Sequence, residues 1–336
     1  MISRIFGGVG RSLIFSGTVL LLFVGYQLWG TSLDTQGHQR DLTREFGETV
    51  GVDPDKPKDE ALRSIVERLS KIEPRTAEPL EAPAEGEGAG FIEIPKIDLG
   101  PTVFVQGVSK ADLRKGPGHY TGTPFPGNEG NAGIAGHRTT YSAPFNRIDE
   151  LVPGDHIIVY TNQGKFTYEV RPSPDERRSG EENRLWGTGW FAVRPSDVSV
   201  LDQSDENMLT LTACHPKRSA RYRIIVQATL IADPAPAPDE DLDPSTSTVK
   251  PENSETVGSD SGDEEAAMIA GDPDELAPAI AWFAAVVAIW LASMAFAAFL
   301  RRRQRRAWWI YLFTVALSAW PLWLSFTHVD KFLPSF

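Results

Sequence analysis

The chain holds a single cysteine, Cys214, at the end of the strand-like run Leu209-Thr210-Leu211-Thr212-Ala213-Cys214. A lone thiol makes no internal disulfide. In a segment outside a membrane, an unpaired cysteine is an oxidation liability, which favours its being kept for chemistry. The competing role is a small buried hydrophobe at a strand end, and the cysteine count does not separate the two. The surroundings do more. His215-Pro216-Lys217-Arg218-Ser219-Ala220 reads as a turn, and Arg221-Tyr222-Arg223-Ile224-Ile225-Val226 as a following strand. Upstream, the short apolar strand Ala132-Gly133-Ile134-Ala135 ends in Gly136-His137-Arg138-Thr139-Thr140-Tyr141. A histidine and a cysteine thus each close an apolar strand, with arginines soon after the cysteine. Together they are an inventory for thiol acyl transfer: a nucleophile, an imidazole to move a proton, and a fixed cation for a developing oxyanion.

Period-two alternation puts Cys214 on the face of Thr212 and Thr210, opposite Leu209, Leu211 and Ala213. The leucine face is expected in a core and the threonine-cysteine face along a groove. Arg221 and Arg223 share one face of their strand, so periodicity leaves both open as the cation, with a solvated strand charge as the alternative for either. Six histidines are present. His38 and His328 fall outside the globular segment, and His156 sits in a strand after a turn. His119 and His215 lie beside the motifs and could touch a substrate. His137 follows Gly136 in a strand-to-loop turn, which suits an exposed imidazole for proton transfer. No metal or other cofactor is expected: Cys214 and His215 are adjacent, a poor geometry for two ligands on one zinc, and no carboxylate loop has a calcium pattern.

The motif Thr210-Leu211-Thr212-Ala213-Cys214 resembles the TLxTC signature of sortases. Ile92-Glu93-Ile94-Pro95-Lys96-Ile97, Gly116-Pro117-Gly118-His119-Tyr120-Thr121-Gly122-Thr123 and the run from Gly136-His137 through Pro144-Phe145-Asn146 agree in order and spacing. The chain is most similar to the class E sortases of actinobacteria, over roughly residues 90–232. The resemblance implies an eight-stranded sortase β-barrel and a cysteine transpeptidase. Cys214 would be its nucleophile, His137 its acid and base, and Arg223, directly before Ile224-Ile225-Val226, its catalytic arginine, with Arg221 in reserve. Tyr120 matches a tyrosine that contacts the peptide in this class, though a core or rim aromatic is the equal alternative; Thr212 is the other expected substrate contact. The implied substrate is a secreted protein carrying an LPxTG-like C-terminal sorting signal, often with alanine second in class E. It would be cut between Thr and Gly and passed through a thioacyl intermediate to an amine of a lipid-linked peptidoglycan precursor. Two departures stand out: Ala213, where many members have threonine, and a longer segment before the cysteine strand, about 172–194.

The elements around these motifs follow from composition. The formal charge of −12 sits in one place: residues 232–275 hold fourteen Asp/Glu and one lysine. No basic stripe suggests a nucleic-acid partner. Residues 12–33 carry no charge over 22 positions, after Arg4 and Arg11. That length spans a bilayer and the arginines favour a cytoplasmic N-terminus. Tyr26-Gln27-Leu28-Trp29 stands where a small-residue cleavage site would, so an uncleaved anchor is expected over 1–33. Residues 34–90 read as an external helical or flexible linker, with a helix over Glu60–Ile72; it could hold the globular domain off the membrane or simply tether it. Residues 91–232 are the globular segment. Apolar runs at 92–97, 101–105, 132–135, 156–160, 165–170, 208–213 and 221–231 alternate with Gly/Pro turns, an all-β pattern. Residues 233–275 read as a disordered acidic linker. Then come a span at 276–300, the basic run Arg301–Arg306 and a second span with a short external tail at 307–336. Tryptophans 308, 309, 320 and 323 flank that last span. By the positive-inside rule the arginine run is cytoplasmic. The whole is expected to be a multi-pass membrane protein with residues 34–275 outside the cell.

Rival chemistries fit less well. L,D-transpeptidases place histidine and cysteine close in sequence, whereas His137 and Cys214 are 77 residues apart. Papain-like enzymes place the cysteine first. A membrane-anchored binding module with an inert cysteine would need no imidazole or guanidinium beside the thiol.

Overall fold

The computed structural model describes residues 16–174, 186–238, 272–302 and 309–333. Part of the first expected span, the middle of the 172–194 segment, most of the acidic stretch and residues 303–306 of the basic run lie outside the described residues. The chain divides into two compact units, one of residues 28–269 and one of residues 1–27 with 270–335.

The larger unit is built on a closed barrel. Its strands are β1 Gly88–Ile94, β2 Leu99–Gln106, β3 Gly118–His119, β4 Asn131–Ala135, β5 His156–Thr161, β6 Gly164–Val170, β7 Phe191–Val193, β8 Met208–His215 and β9 Tyr222–Leu230. Their order is β6-β5-β1-β2-β3-β4-β8-β9, and β6 pairs back onto β9 through Val170↔Ala228 and Tyr168↔Leu230. Eight strands therefore close on themselves, which removes free edges. The three-residue β7 is a ninth, laid on the other half of β9 at Arg223–Ile225. The fold expected from the sequence, an eight-stranded sortase-type barrel, is the fold observed. Its interior is filled by the inward residues of alternating strands, among them Ile92, Phe104, Ile134, Phe166, Leu209, Leu211 and Val226.

Several strands are apolar on both faces, so their outer sides need cover. Phe91, Val103 and Val105 point out of the barrel and are fully buried. Two helices cover them: α1 Thr31–Thr49 and α2 Lys58–Leu69. Leu42 and Phe46 of α1 and Ala61, Ile65 and Leu69 of α2 pack into that layer, with Phe46 edge-on to Phe91 at 5.2 Å. Full burial of a side chain such as Ile65 or Leu69 is worth about 1.5–3 kcal/mol. The sequence places α2 at Glu60–Ile72; the helix spans Lys58–Leu69, with Asp59 and Glu60 in its first turn and Arg68 in its last, as the helix dipole favours. The segment expected as a linker thus contributes a packed layer to the barrel.

The smaller unit is helical. Residues 16–25 are helical, and Phe23 and Tyr26 pack against Phe326 and Trp323. Helices α3 Leu276–Arg302 and α4 Trp309–Phe332 follow the barrel in sequence. Segments Pro273–Ala297 and Leu312–Phe332 are long and apolar enough to cross a membrane, by length and composition. Ser325 Oγ donates to the Ala279 carbonyl at 3.1 Å, and Glu275 pairs with His328 and with Lys331, tying the two helices together.

Candidate active site

Two adjacent strands bring the chemistry together. β4 and β8 run parallel, in the register Gly133↔Thr210 and Ala135↔Thr212. The Gly136 amide continues that ladder by donating to the Thr212 carbonyl at 3.0 Å. Two residues further along each strand stand His137 and Cys214, so the register carries both to the same end of neighbouring strands. The antiparallel partner β9 supplies the cation. Cys214 is directly opposite Arg223, and cross-strand neighbours point to one face. Arg223 Nη1 lies 3.5 Å from Cys214 Sγ and at the same distance from the carbonyls of Ala220 and Tyr222. The guanidinium is buried, and Cys214 is 9% exposed. Arg221 lies just before β9, is exposed, and stacks over the Tyr222 ring.

The threonine face of β8 is roofed over for most of its length. Thr210 Oγ1 donates to Asn131 Oδ1 at 2.8 Å, and Asn131 Nδ2 donates to the Val200 carbonyl at 3.0 Å. Thr212 Oγ1 shares a 2.9 Å hydrogen bond with the Tyr120 hydroxyl. Tyr120 is 1% and Thr212 3% exposed, beneath a cluster that includes Leu113, Phe191, Val200 and Leu201. The open groove expected along that face is not seen at Thr210 and Thr212; Cys214, at the strand end, is the most exposed of the three at 9%.

His137 is buried. Its ring lies 5.0 Å from that of Tyr141, and its carbonyl accepts from the Phe145 amide at 3.1 Å. Gly136 before it has no room for a side chain: a Cβ there would stand 2.5 Å from Phe145 Cδ2. Glycine lets the backbone pass Phe145 as β4 turns into the loop.

The sequence did not single out Arg138. It is 1% exposed and joins the loop after His137 to the turn after Cys214. Its guanidinium pairs with Asp149 Oδ1 at 2.7 Å, and Nη1 donates to His215 Nδ1 at 3.1 Å. Asn146 Nδ2 donates to the Arg138 carbonyl at 2.6 Å. An arginine can only donate, so His215 Nδ1 is the acceptor and its proton sits on Nε2. Burial, and then the Arg138 charge, hold the His215 pKa below that of a free imidazole. The signal was present in the sequence as an arginine directly after the motif histidine; its partners, 8 to 77 positions away, were not.

His119 is structural. Its Nε2 is 2.9 Å from the Pro124 carbonyl and its Nδ1 2.9 Å from the Gln106 side-chain amide, inside the barrel wall. Burial pushes its pKa down to about 4.

Comparison with known proteins agrees with this architecture. The family model for the Sortase domain matches residues 92–231. Sortase SrtE1 of Streptomyces coelicolor is 28% identical over 239 residues, 67% of this chain and 57% of that protein. Sortase D of Bacillus subtilis is 32% identical over 135 residues, 40% of this chain and 58% of that protein. Sortase SrtE2 of Streptomyces coelicolor is 27% identical over 229 residues, 66% of this chain and 81% of that protein. The chain thus spans a little under three-fifths of the first two relatives.

Proposed function

This chain belongs to the sortase family, in the likeness of its class E members, and on that premise we propose that it is a membrane-anchored cysteine transpeptidase. The observation that carries the reading is the Arg223 guanidinium 3.5 Å from Cys214 Sγ, with His137 brought by strand register to the same barrel end.

In the proposed reaction, the Cys214 thiolate attacks the threonine carbonyl carbon of an LPxTG- or LAxTG-like signal. A C–S bond forms and the carbonyl electron pair moves to oxygen. Arg223 donates N–H groups to that oxyanion, where a preoriented cation in a dry site is most effective. Collapse of the adduct breaks the Thr–Gly C–N bond, and the His137 imidazolium protonates the departing glycine amine. An amine of a lipid-linked cell-wall precursor then attacks the thioester, and His137 takes its proton. The Cys214 thiolate leaves, and an amide joins the two partners. Tyr120 and Thr212, buried and hydrogen-bonded to each other, are proposed to support the Cys214 end from behind, without lining the peptide site. The apolar spans would hold the enzyme at the outer membrane surface, with the barrel outside the cell, where lipid-linked acceptor and membrane-retained substrate meet.

The test is a peptide-cleavage assay on the full chain with a trapping amine, comparing the wild type with Cys214→Ala. Cleavage between Thr and Gly that disappears with the thiol supports the reading. Equal cleavage by Cys214→Ala refutes it.

A further inference from the structure

The first turns of α1 have an unusual buried face. Thr31, Thr35 and Gln39, spaced by four residues, are all buried, yet all are polar. Each is spent on backbone groups of the barrel. Gln39 bridges the backbone of Val103 and Lys115: its Nε2 donates to both carbonyls at 2.8 Å, and its Oε1 accepts from the Val103 amide at 2.9 Å. Thr35 Oγ1 donates to the Arg114 carbonyl at 2.8 Å. Thr31 Oγ1 accepts from the Tyr141 amide at 3.2 Å, and Ser32 Oγ from the Ser142 amide at 3.3 Å.

These last contacts fall on the loop that follows His137. Tyr141, Ser142 and Ala143 have φ of 52, 61 and 44°, three consecutive non-glycine residues in the left-handed region. L-residues hold such a run only where surrounding structure enforces it. Tyr141 is buried, with one neighbour the His137 ring at 5.0 Å and another the Arg114 guanidinium, 5.3 Å from its centroid. Helix α1 therefore grips the backbone of Tyr141, whose ring packs beside the imidazole, through Thr31, and that of Arg114, whose guanidinium lies over the Tyr141 ring, through Thr35.

We propose that Thr31, with Ser32 and Thr35, positions His137: the first turns of α1 hold the left-handed loop and, through the Tyr141 ring, fix the orientation of the imidazole. The consequence for turnover rests on the transpeptidase reading; the effect on the ring does not. The same helix follows directly, through the π-helical stretch Tyr26–Gly30, from the N-terminal apolar segment, so on this proposal a segment expected as anchor and linker becomes part of the catalytic scaffold.

The experiment uses the full chain and two readouts. The first is the rate at which diethylpyrocarbonate modifies His137, resolved by mass spectrometry, with buried His119 as an internal control. The second is peptide turnover. Thr31→Val, which keeps shape but removes the acceptor, should speed modification of His137 several-fold while His119 stays protected. It should lower kcat roughly tenfold or more with KM held within about twofold, as loss of orientation does. Thr31→Ser should restore both. Tyr141→Leu, which keeps the backbone bond but removes the ring, should free His137 in the same way. An unchanged His137 rate in Thr31→Val overturns the proposal. So does modification of His119 together with His137, which would mean that the helix only supports the barrel. A wild type that cleaves no peptide, with His137 still freed selectively, would refute the transpeptidase reading and leave the positioning intact.

Discussion

At the residue scale, the arrangement divides labour between a thiol and a buried cation set opposite each other on β8 and β9. Arg223 Nη1 stands 3.5 Å from the carbonyls of Ala220 and Tyr222 as well as from the sulfur, so in the proposed reaction its reach toward the oxyanion would be fixed before substrate arrives. Arg223→Ala should lower kcat by about 10²–10³ with a smaller change in KM, the pattern for loss of an oxyanion donor. Arg223→Lys should recover only part of that, because a point charge lacks the guanidinium's fixed fork. Steady-state kinetics of the two variants check this. Alternation in the sequence left Arg221 and Arg223 equivalent; the family resemblance preferred Arg223, and the β8–β9 register sets Arg223 opposite Cys214. Nor could the sequence reveal the Arg138–Asp149–His215 network, because its members are joined by loop geometry rather than by spacing.

At the scale of elements, glycines and one buried histidine constrain the strand that delivers His137. Gly136→Ala would force a methyl to within 2.5 Å of Phe145 Cδ2. We expect about 1–3 kcal/mol of destabilisation from that overpacking, measured as a lower urea midpoint. His119 makes stability depend on pH. Burial holds its pKa near 4, against 6.5 for a free histidine. The unfolded chain therefore binds a proton that the folded chain resists. The stabilisation is fully present above about pH 6.5 and is lost as pH falls toward 4, a contribution of ~3 kcal/mol. A His119→Gln variant should show a flatter decline in unfolding free energy across that range. Strands 132–135, 156–160, 165–170 and 208–213 were legible from alternation and turn residues. Two were not. β3 is two residues long, too short to carry a period, and β7 lies in the long segment before β8, where no alternation marks three residues that pair only because β9 is beside them. The helices α1 and α2 were half legible: α2 shows an amphipathic stripe, whereas the buried face of α1 begins with threonines and glutamine and looks exposed.

For the whole molecule, the proposed topology sets the barrel outside the cell, with the arginine run inside. In a Cys214→Ala background, a cysteine at exposed Glu81 should react with a membrane-impermeant maleimide on intact cells. A cysteine replacing Gln304 should react only after permeabilisation; the reverse pattern would invert the topology. The spans were readable because apolar length and flanking charge are local properties of the chain. That the segment after the first span is spent on the barrel was not readable, since it depends on outward-facing Phe91, Val103 and Val105 needing cover.

The most direct test of the central claim is mass spectrometry of the full chain incubated with LPxTG and LAxTG peptides and hydroxylamine, beside Cys214→Ala and His137→Ala. The expected result is cleavage between Thr and Gly, with an acyl adduct on Cys214 in the wild type, loss of the adduct in Cys214→Ala, and strongly slowed turnover in His137→Ala. No cleavage of either peptide, together with a Cys214 inert to iodoacetamide, would contradict the account and leave a sortase-fold barrel with a buried, unreactive cysteine.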